Sequence, residues 1–161
     1  TSKRFRLLDC RKCYAGIDIA ILELPRIPNV GYAIVSYPWK GLPYDTGPVG
    51  PTRPAQFIIP VGRTYGGDPI GVDILRLLCR LCLEKGINYL WIDRLCVSYA
   101  NKKDQRWNAR LTSQIFRRCA LCFVLPGGLV RLADLQEATN YTRVPWTLRT
   151  AVLPRQALVV F

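Results

Sequence analysis

Histidine and methionine are both missing from the 161 residues. Without an imidazole, the chain can supply no Ser-His or Cys-His nucleophile pair, no histidine general base and no histidine metal ligand. Glutamate is nearly missing too, occurring only as Glu23, Glu84 and Glu137. Glu84 falls in the last turn of a helical pattern and Glu137 in a polar linker, so a catalytic pair of carboxylates is poorly supported. No apolar run approaches the roughly 18 residues of a membrane span. The basic start, Thr1 to Arg6, leads into no signal-peptide core. With charged residues at only 21% and hydrophobic residues at 50%, the composition is not that of a disordered chain.

The length fits a single domain over residues 1–161, large enough to fold without disulfides or metal. The chain begins on Thr1 and closes on the apolar run Ala157 to Phe161, which reads as a domain excised from a longer protein. Seven cysteines, an odd number in a chain this long, point to a reducing, cytoplasmic setting. The net charge of +12 favours anionic partners. However, the densest basic groups, Lys102-Lys103 and Arg117-Arg118, are short and lack neighbouring stacking aromatics, so nucleic acid ranks last among the partners.

Hydrophobic patterning predicts alternating strands and helices. Phe5–Cys10 is expected as an edge strand, and Ile17–Leu24 as a second strand ended by prolines. Tyr32–Tyr37, Tyr89–Asp93 and Cys119–Leu125 are short, nearly continuous apolar runs, the signature of strands buried on both faces. Residues 38–56, with five prolines and three glycines, form a long surface loop. Phe57–Ile59 reads as a short strand and Arg63–Asp68 as a turn. Helices are expected over Val72–Lys85, opened by Asp68-Pro69 or by Asp73 and stopped at Gly86, and over Gln105–Arg118 with Asp104 as cap. Two more are expected over Leu129–Leu135 and Pro145–Val152, before a last strand at Ala157–Phe161. This rhythm describes an α/β domain with a mainly parallel central sheet flanked by helices.

In such sheets ligands bind outside the carboxyl ends of the strands. Those ends carry Ser36, Tyr37 and Trp39; Asp93 and Arg94; and Gly127-Gly128. The two glycines before a helix can form an anion nest or a plain left-handed turn, and the turn is favoured. Asp93, at the end of an apolar strand, needs a partner if buried; Arg94, Arg106 and Arg149 are candidates. Trp91 and Trp107 read as core, whereas Trp39 and Trp146 sit beside prolines and suit core or ligand platform equally. Cys10/Cys13, Cys79/Cys82 and Cys119/Cys122 make three Cys-x-x-Cys pairs. Cys79 and Cys82 sit within a helix pattern, and Cys119 and Cys122 lack the turn glycines of a zinc knuckle, so the cysteines read as core packing, with no metal site.

Three stretches carry a family resemblance. Tyr32-Ala33-Ile34-Val35-Ser36-Tyr37-Pro38-Trp39 resembles the opening S-Y-x-W motif of the fungal heterokaryon-incompatibility (HET) domain. Leu90-Trp91-Ile92-Asp93-Arg94-Leu95-Cys96-Val97 resembles its W-I-D-x-L-C-I motif, and Val144-Pro145-Trp146-Thr147-Leu148-Arg149-Thr150 its R-x-W-T-L-Q-E motif. Arg4 to Cys10 resembles the lead-in strand, and Val124 to Leu129 a segment of mushroom-type members. The resemblance implies a cytoplasmic role in fungal non-self recognition and programmed cell death, through self-association or another signalling protein. It also implies distant kinship with Toll/interleukin-1 receptor (TIR) domains, with their flavodoxin-like sheet. Some TIR domains cleave NAD with a glutamate, so NAD is implied as a substrate or ligand, with no cofactor required.

The motif departs at its end. Arg149 and Thr150 stand where Gln and Glu are expected, and Tyr99 replaces a frequent Gln. Threonine cannot carry the charge that stabilises an oxocarbenium-like centre, so the resemblance implies a catalytically degenerate copy. Asp93 is the remaining acid, the candidate for a partial substitute. The ligand-lining set expected on these grounds is Ser36, Tyr37, Trp39, Asp93, Gly127, Gly128, Trp146 and Arg149.

Overall fold

The computed structural model describes residues 3–16, 19–43, 56–57 and 68–161. Its centre is a six-stranded sheet made of β1 (Phe5–Asp9), β2 (Ile21–Leu24), β3 (Ala33–Ser36), β6 (Tyr89–Trp91), β7 (Leu121–Val124) and β8 (Ala157–Val159), in the order β2-β1-β6-β3-β7-β8. β3 pairs in parallel with β6 and β7, and β7 with β8, while β1 runs antiparallel to β2 and β6. This is the mainly parallel α/β sheet that the patterning predicts, with the flavodoxin-like architecture that the resemblance implies. β4 (Gln56–Phe57) and β5 (Ile70–Gly71) form a separate antiparallel ladder.

The three continuous apolar runs become the three central strands, because parallel strands sandwiched between helices must be apolar on both faces. Their side chains alternate between two layers. Ala33, Val35, Leu90, Ile92, Leu121 and Phe123 face one layer, covered by α1 (Cys10–Tyr14) and α2 (Val72–Glu84). Ile34, Trp91, Cys122 and Val124 face the other, covered by α4 (Lys102–Arg118) and α5 (Pro145–Val152). Between β6 and α4 lies the short α3 (Asp93–Cys96).

Several local expectations are corrected. Phe5–Asp9 is not an edge strand: β2 pairs outside it. Cys10 leaves the strand to open α1, because the Asp9 side chain accepts from the Arg11 and Lys12 amides. α2 starts at Val72 with Gly71 as cap, since Asp68 accepts the Gly41 amide instead (2.7 Å) and Asp73 lies inside the first turn. Its end at Gly86, with φ of +70°, agrees with the sequence. α4 is capped three residues earlier than Asp104: Asn101 takes the Lys103 and Asp104 amides, and the Asp104 carboxylate turns inward to Arg6 (2.7 Å). No helix forms over Leu129–Leu135. There the Arg131 guanidinium bonds Pro43 O, Leu132 O and the Glu137 carboxylate, tying the segment into an irregular loop. The expected features at Ile17-Asp18, Ile58-Ile59, 44–55 and 63–67 lie outside the described residues.

Candidate functional site

From β3 the chain passes through α2 to β6 on one side, then through α4 to β7 on the other. Helices therefore leave the neighbouring carboxyl ends of β3 and β6 toward opposite faces, the arrangement that opens a crevice in parallel sheets. A cleft of about 550 Å³ lies there. Trp39, beyond β3, and Trp91, Asp93 and Tyr99, in and after β6, meet Val144, Trp146 and Arg149 around the start of α5. Gln105, Asn108, Ala109 and Thr112 of α4 close the remaining wall.

Asp93 is the only acid lining this cleft among the described residues, and it is 5% exposed. Its Oδ1 accepts from the Tyr37 hydroxyl and the Arg94 amide (2.8 Å). Its Oδ2 accepts from Trp39 Nε1 (2.8 Å) and the Tyr99 hydroxyl (3.1 Å). Burial pushes its pKa above the ordinary carboxylate value, while the bonds from Tyr37, Tyr99, Trp39 and Arg94 pull the other way. Burial, and then the Asp93 charge, push both the Tyr37 and Tyr99 hydroxyls up, so each stays a donor. The arginine partners expected for Asp93 do not form: among the described residues no guanidinium lies within 4.0 Å of the carboxylate. Arg94 instead stacks its guanidinium 6.0 Å from the Trp39 ring centroid, and Arg149 donates to Ser113 Oγ (2.9 Å).

The eight expected lining residues divide. Trp39, Asp93, Trp146 and Arg149 reach the cleft. Tyr37 lies behind it, buried and spent on Asp93. Ser36 is buried in a separate hydroxyl cluster, 2.5 Å from Thr150 Oγ1 and 2.6 Å from the Tyr141 hydroxyl. Thr150, at 0% exposure, also donates toward the Trp146 and Thr147 carbonyls. Ser36 and Asp93 therefore share a rim without sharing a cavity. Gly127 and Gly128 line nothing in the cleft: Gly127 O accepts from Leu42 N (2.7 Å), and both glycines stack against the Gly41 backbone. Gly128, with φ of +89°, makes the left-handed turn the sequence favours, and no helix follows it to form an anion nest.

The α4 wall was not among the expected site residues. Its signal is nonetheless in the sequence, because Gln105, Asn108, Ala109 and Thr112 recur at helical spacing as a small, polar stripe beside the apolar one. Asn108 Oδ1 and Trp91 Nε1, an acceptor and a donor in the same walls, are sealed from solvent without a hydrogen-bond partner among the described residues. Unsatisfied groups of this kind are rare in native interiors. Trp91, expected in the core, is core and wall at once; Trp107 is only partly buried against the same layer. Among the described residues, no three His, Cys, Asp or Glu side chains are grouped to hold a metal ion. A hollow of about 410 Å³ beside Leu24–Asn29 carries no acid or nucleophile.

No helix of the described residues is long and apolar enough to cross a membrane. No curated protein and no solved structure matches the chain. The family described as Heterokaryon incompatibility protein (HET) matches residues 32–152, which span β3 to α5 and every wall of the cleft. That match covers well over half of the sequence, and the chain belongs to the HET family.

Proposed function

We propose that this domain works as a catalytically degenerate cell-death signalling module in fungal non-self recognition, with its aromatic cleft as a recognition pocket. The observation that carries this reading is the saturation of Asp93. The cleft's one acid among the described residues already accepts four donors from the surrounding protein, leaving it no capacity to position a water or a sugar hydroxyl. Thr150, at the position where the family resemblance implies a glutamate, is neutral and turned into the hydroxyl cluster of Ser36 and Tyr141. Exposed apolar side chains on α5 and β8, among them Leu148, Val152 (79%), Leu158 and Val159, support association with a second copy or another signalling protein.

The second reading is a TIR-like NAD glycohydrolase. It is favoured by the volume and place of the cleft and by its three tryptophan walls, and opposed by the engaged Asp93. One pair of measurements separates the two. The protein is incubated with NAD while nicotinamide is followed, and its mass is followed by light scattering over a concentration series. The expected outcome is no nicotinamide above the buffer control and a mass that grows with concentration. Nicotinamide release that disappears in Trp146→Ala would replace the first reading with the second.

A further inference from the structure

Among the described residues the buried charged side chains are Asp93, Asp104 and Arg94. Both acids are provided for. Asp93 takes its four donors, and Asp104 pairs with Arg6 and accepts the Ser98 amide (3.0 Å). Arg94, at 4% exposure, is not provided for. Its Nε is sealed from solvent without a hydrogen-bond partner. Among the described residues no acid lies within 4.0 Å of its guanidinium, and its backbone amide is its one donor with an acceptor. Asp93 is next in sequence, but its lone pairs serve Tyr37, Trp39, Tyr99 and that amide. The face of the Trp39 ring, 6.0 Å away, attracts the cation and accepts none of its in-plane N–H bonds. Arginines that lie further out, Arg6, Arg11, Arg118, Arg131 and Arg149, each have a side-chain partner. The one deeply buried cation is the one left without.

Buried charges in proteins are paired, because a cation taken out of water without an acceptor is costly. Here the described residues supply no pair, so the counter-charge comes from outside them. We propose that Arg94 is an oxyanion-binding site, taking the phosphate or carboxylate group of a small ligand. Nε is the guanidinium nitrogen that is sealed; the Nη nitrogens are not, and they can hold the anion end-on. Their parallel N–H bonds match the two-oxygen edge that phosphate and carboxylate share. Arg94 does not line the aromatic cleft, but the indole it stacks on does. The site therefore adjoins the recognition pocket through Trp39 and does not depend on what that pocket binds.

The parent, Arg94→Met and Arg80→Met, a control at an exposed arginine, are titrated with sodium phosphate or sodium acetate against sodium chloride of equal ionic strength. Melting temperature and tryptophan fluorescence are read at each point. General salting-out by phosphate lifts all three proteins alike, so the readout is the difference between them. The expected result is a saturable rise of about 3–6 °C in the parent at tenfold excess over the dissociation constant. Fluorescence should change with it, because Trp39 lies against the guanidinium. Arg80→Met keeps the rise and Arg94→Met loses it. A response to phosphate alone assigns a phosphorylated ligand, to acetate alone a carboxylate, and to both a site that accepts either group. In chloride, Arg94→Met should melt at or above the parent, since it removes a buried charge without a partner. A parent that answers neither anion, or a response that survives Arg94→Met, overturns the proposal. So does an Arg94→Met chain that melts well below the parent in chloride or fails to fold, the result expected of a guanidinium that serves only packing.

Discussion

Replacing Asp93 with asparagine keeps the side chain's shape and removes one acceptor oxygen. In the native chain Oδ1 serves Tyr37 and the Arg94 amide, and Oδ2 serves Trp39 and Tyr99. An amide has one acceptor oxygen and one NH₂ donor. If its oxygen keeps the first pair, the NH₂ meets Tyr99, whose hydroxyl can turn to accept, and Trp39 Nε1, which cannot. If it flips, the Arg94 backbone N–H is stranded in the same way. Either orientation leaves one buried N–H facing another. That costs about 1–3 kcal/mol, and the loss of charge-assisted character in the surviving bonds adds about 1–2 kcal/mol. Relief from burying a charge returns part of this. The net expectation is a loss of about 2–4 kcal/mol at neutral pH, read from urea unfolding followed by tryptophan fluorescence. The folded baseline should shift as well, because Trp39 loses its acceptor. A stability within about 0.5 kcal/mol of the parent, with an unchanged baseline, would refute the saturated carboxylate and with it the argument against catalysis.

Two further outcomes follow from glycine geometry and from the buried thiols. A Cβ on Gly41 would collide with Gly127 O and come within 2.8 Å of Gly128 Cα, both backbone atoms that cannot swing aside. Gly41→Ala is therefore expected to cost about 3 kcal/mol, at the upper end of overpacking penalties. Gly86→Ala meets open space and costs only the left-handed backbone term, about 1 kcal/mol; equal losses by chemical unfolding would contradict this. In alkali, burial pushes Cys119 up to about 11, and Cys96 and Cys122 up to about 12, against an ordinary value of 9.0. Their folded pKa values lie above the unfolded one, so this stabilisation is complete below pH 9 and is lost as pH climbs through the folded values. Each thiol contributes a slope of at most about 1.4 kcal/mol per pH unit. Urea midpoints under reductant should drop steeply between about pH 9 and pH 11, and a flat profile there would rule out the assigned burial.

The central strands and the long helices were legible because burial on two faces, and then on one stripe, leaves a continuous run and then a helical period. Tyr32–Tyr37, Tyr89–Asp93, Cys119–Leu125 and Val72–Lys85 all became what their patterns predict. Helix starts were less legible for a consistent reason. Asp68 and Asp104 have the chemistry of caps, but partners remote in sequence claim them: Gly41 for the first and Arg6 for the second. The cleft was half legible. Strand ends gave Trp39 and Asp93, and the last motif gave Trp146 and Arg149. Strand parity directs Ser36 into the layer beneath, where its hydroxyl meets Thr150, so the motif serine looks exposed in sequence and is not. A charged partner was the natural expectation for a buried carboxylate. Three aromatic donors did the work instead, and no spacing rule connects Tyr37, Trp39 and Tyr99.

The sheet should insulate the two apolar layers from each other, yet Trp39 packs against both of them, as does Leu95. These two side chains wrap over the strand ends like a hem, and there the layers lose their separate identity. Neither half can then melt while the other stays ordered. Heating should produce one transition whose calorimetric and van't Hoff enthalpies agree, and anything that grips the indole at the hem holds both halves of the domain together.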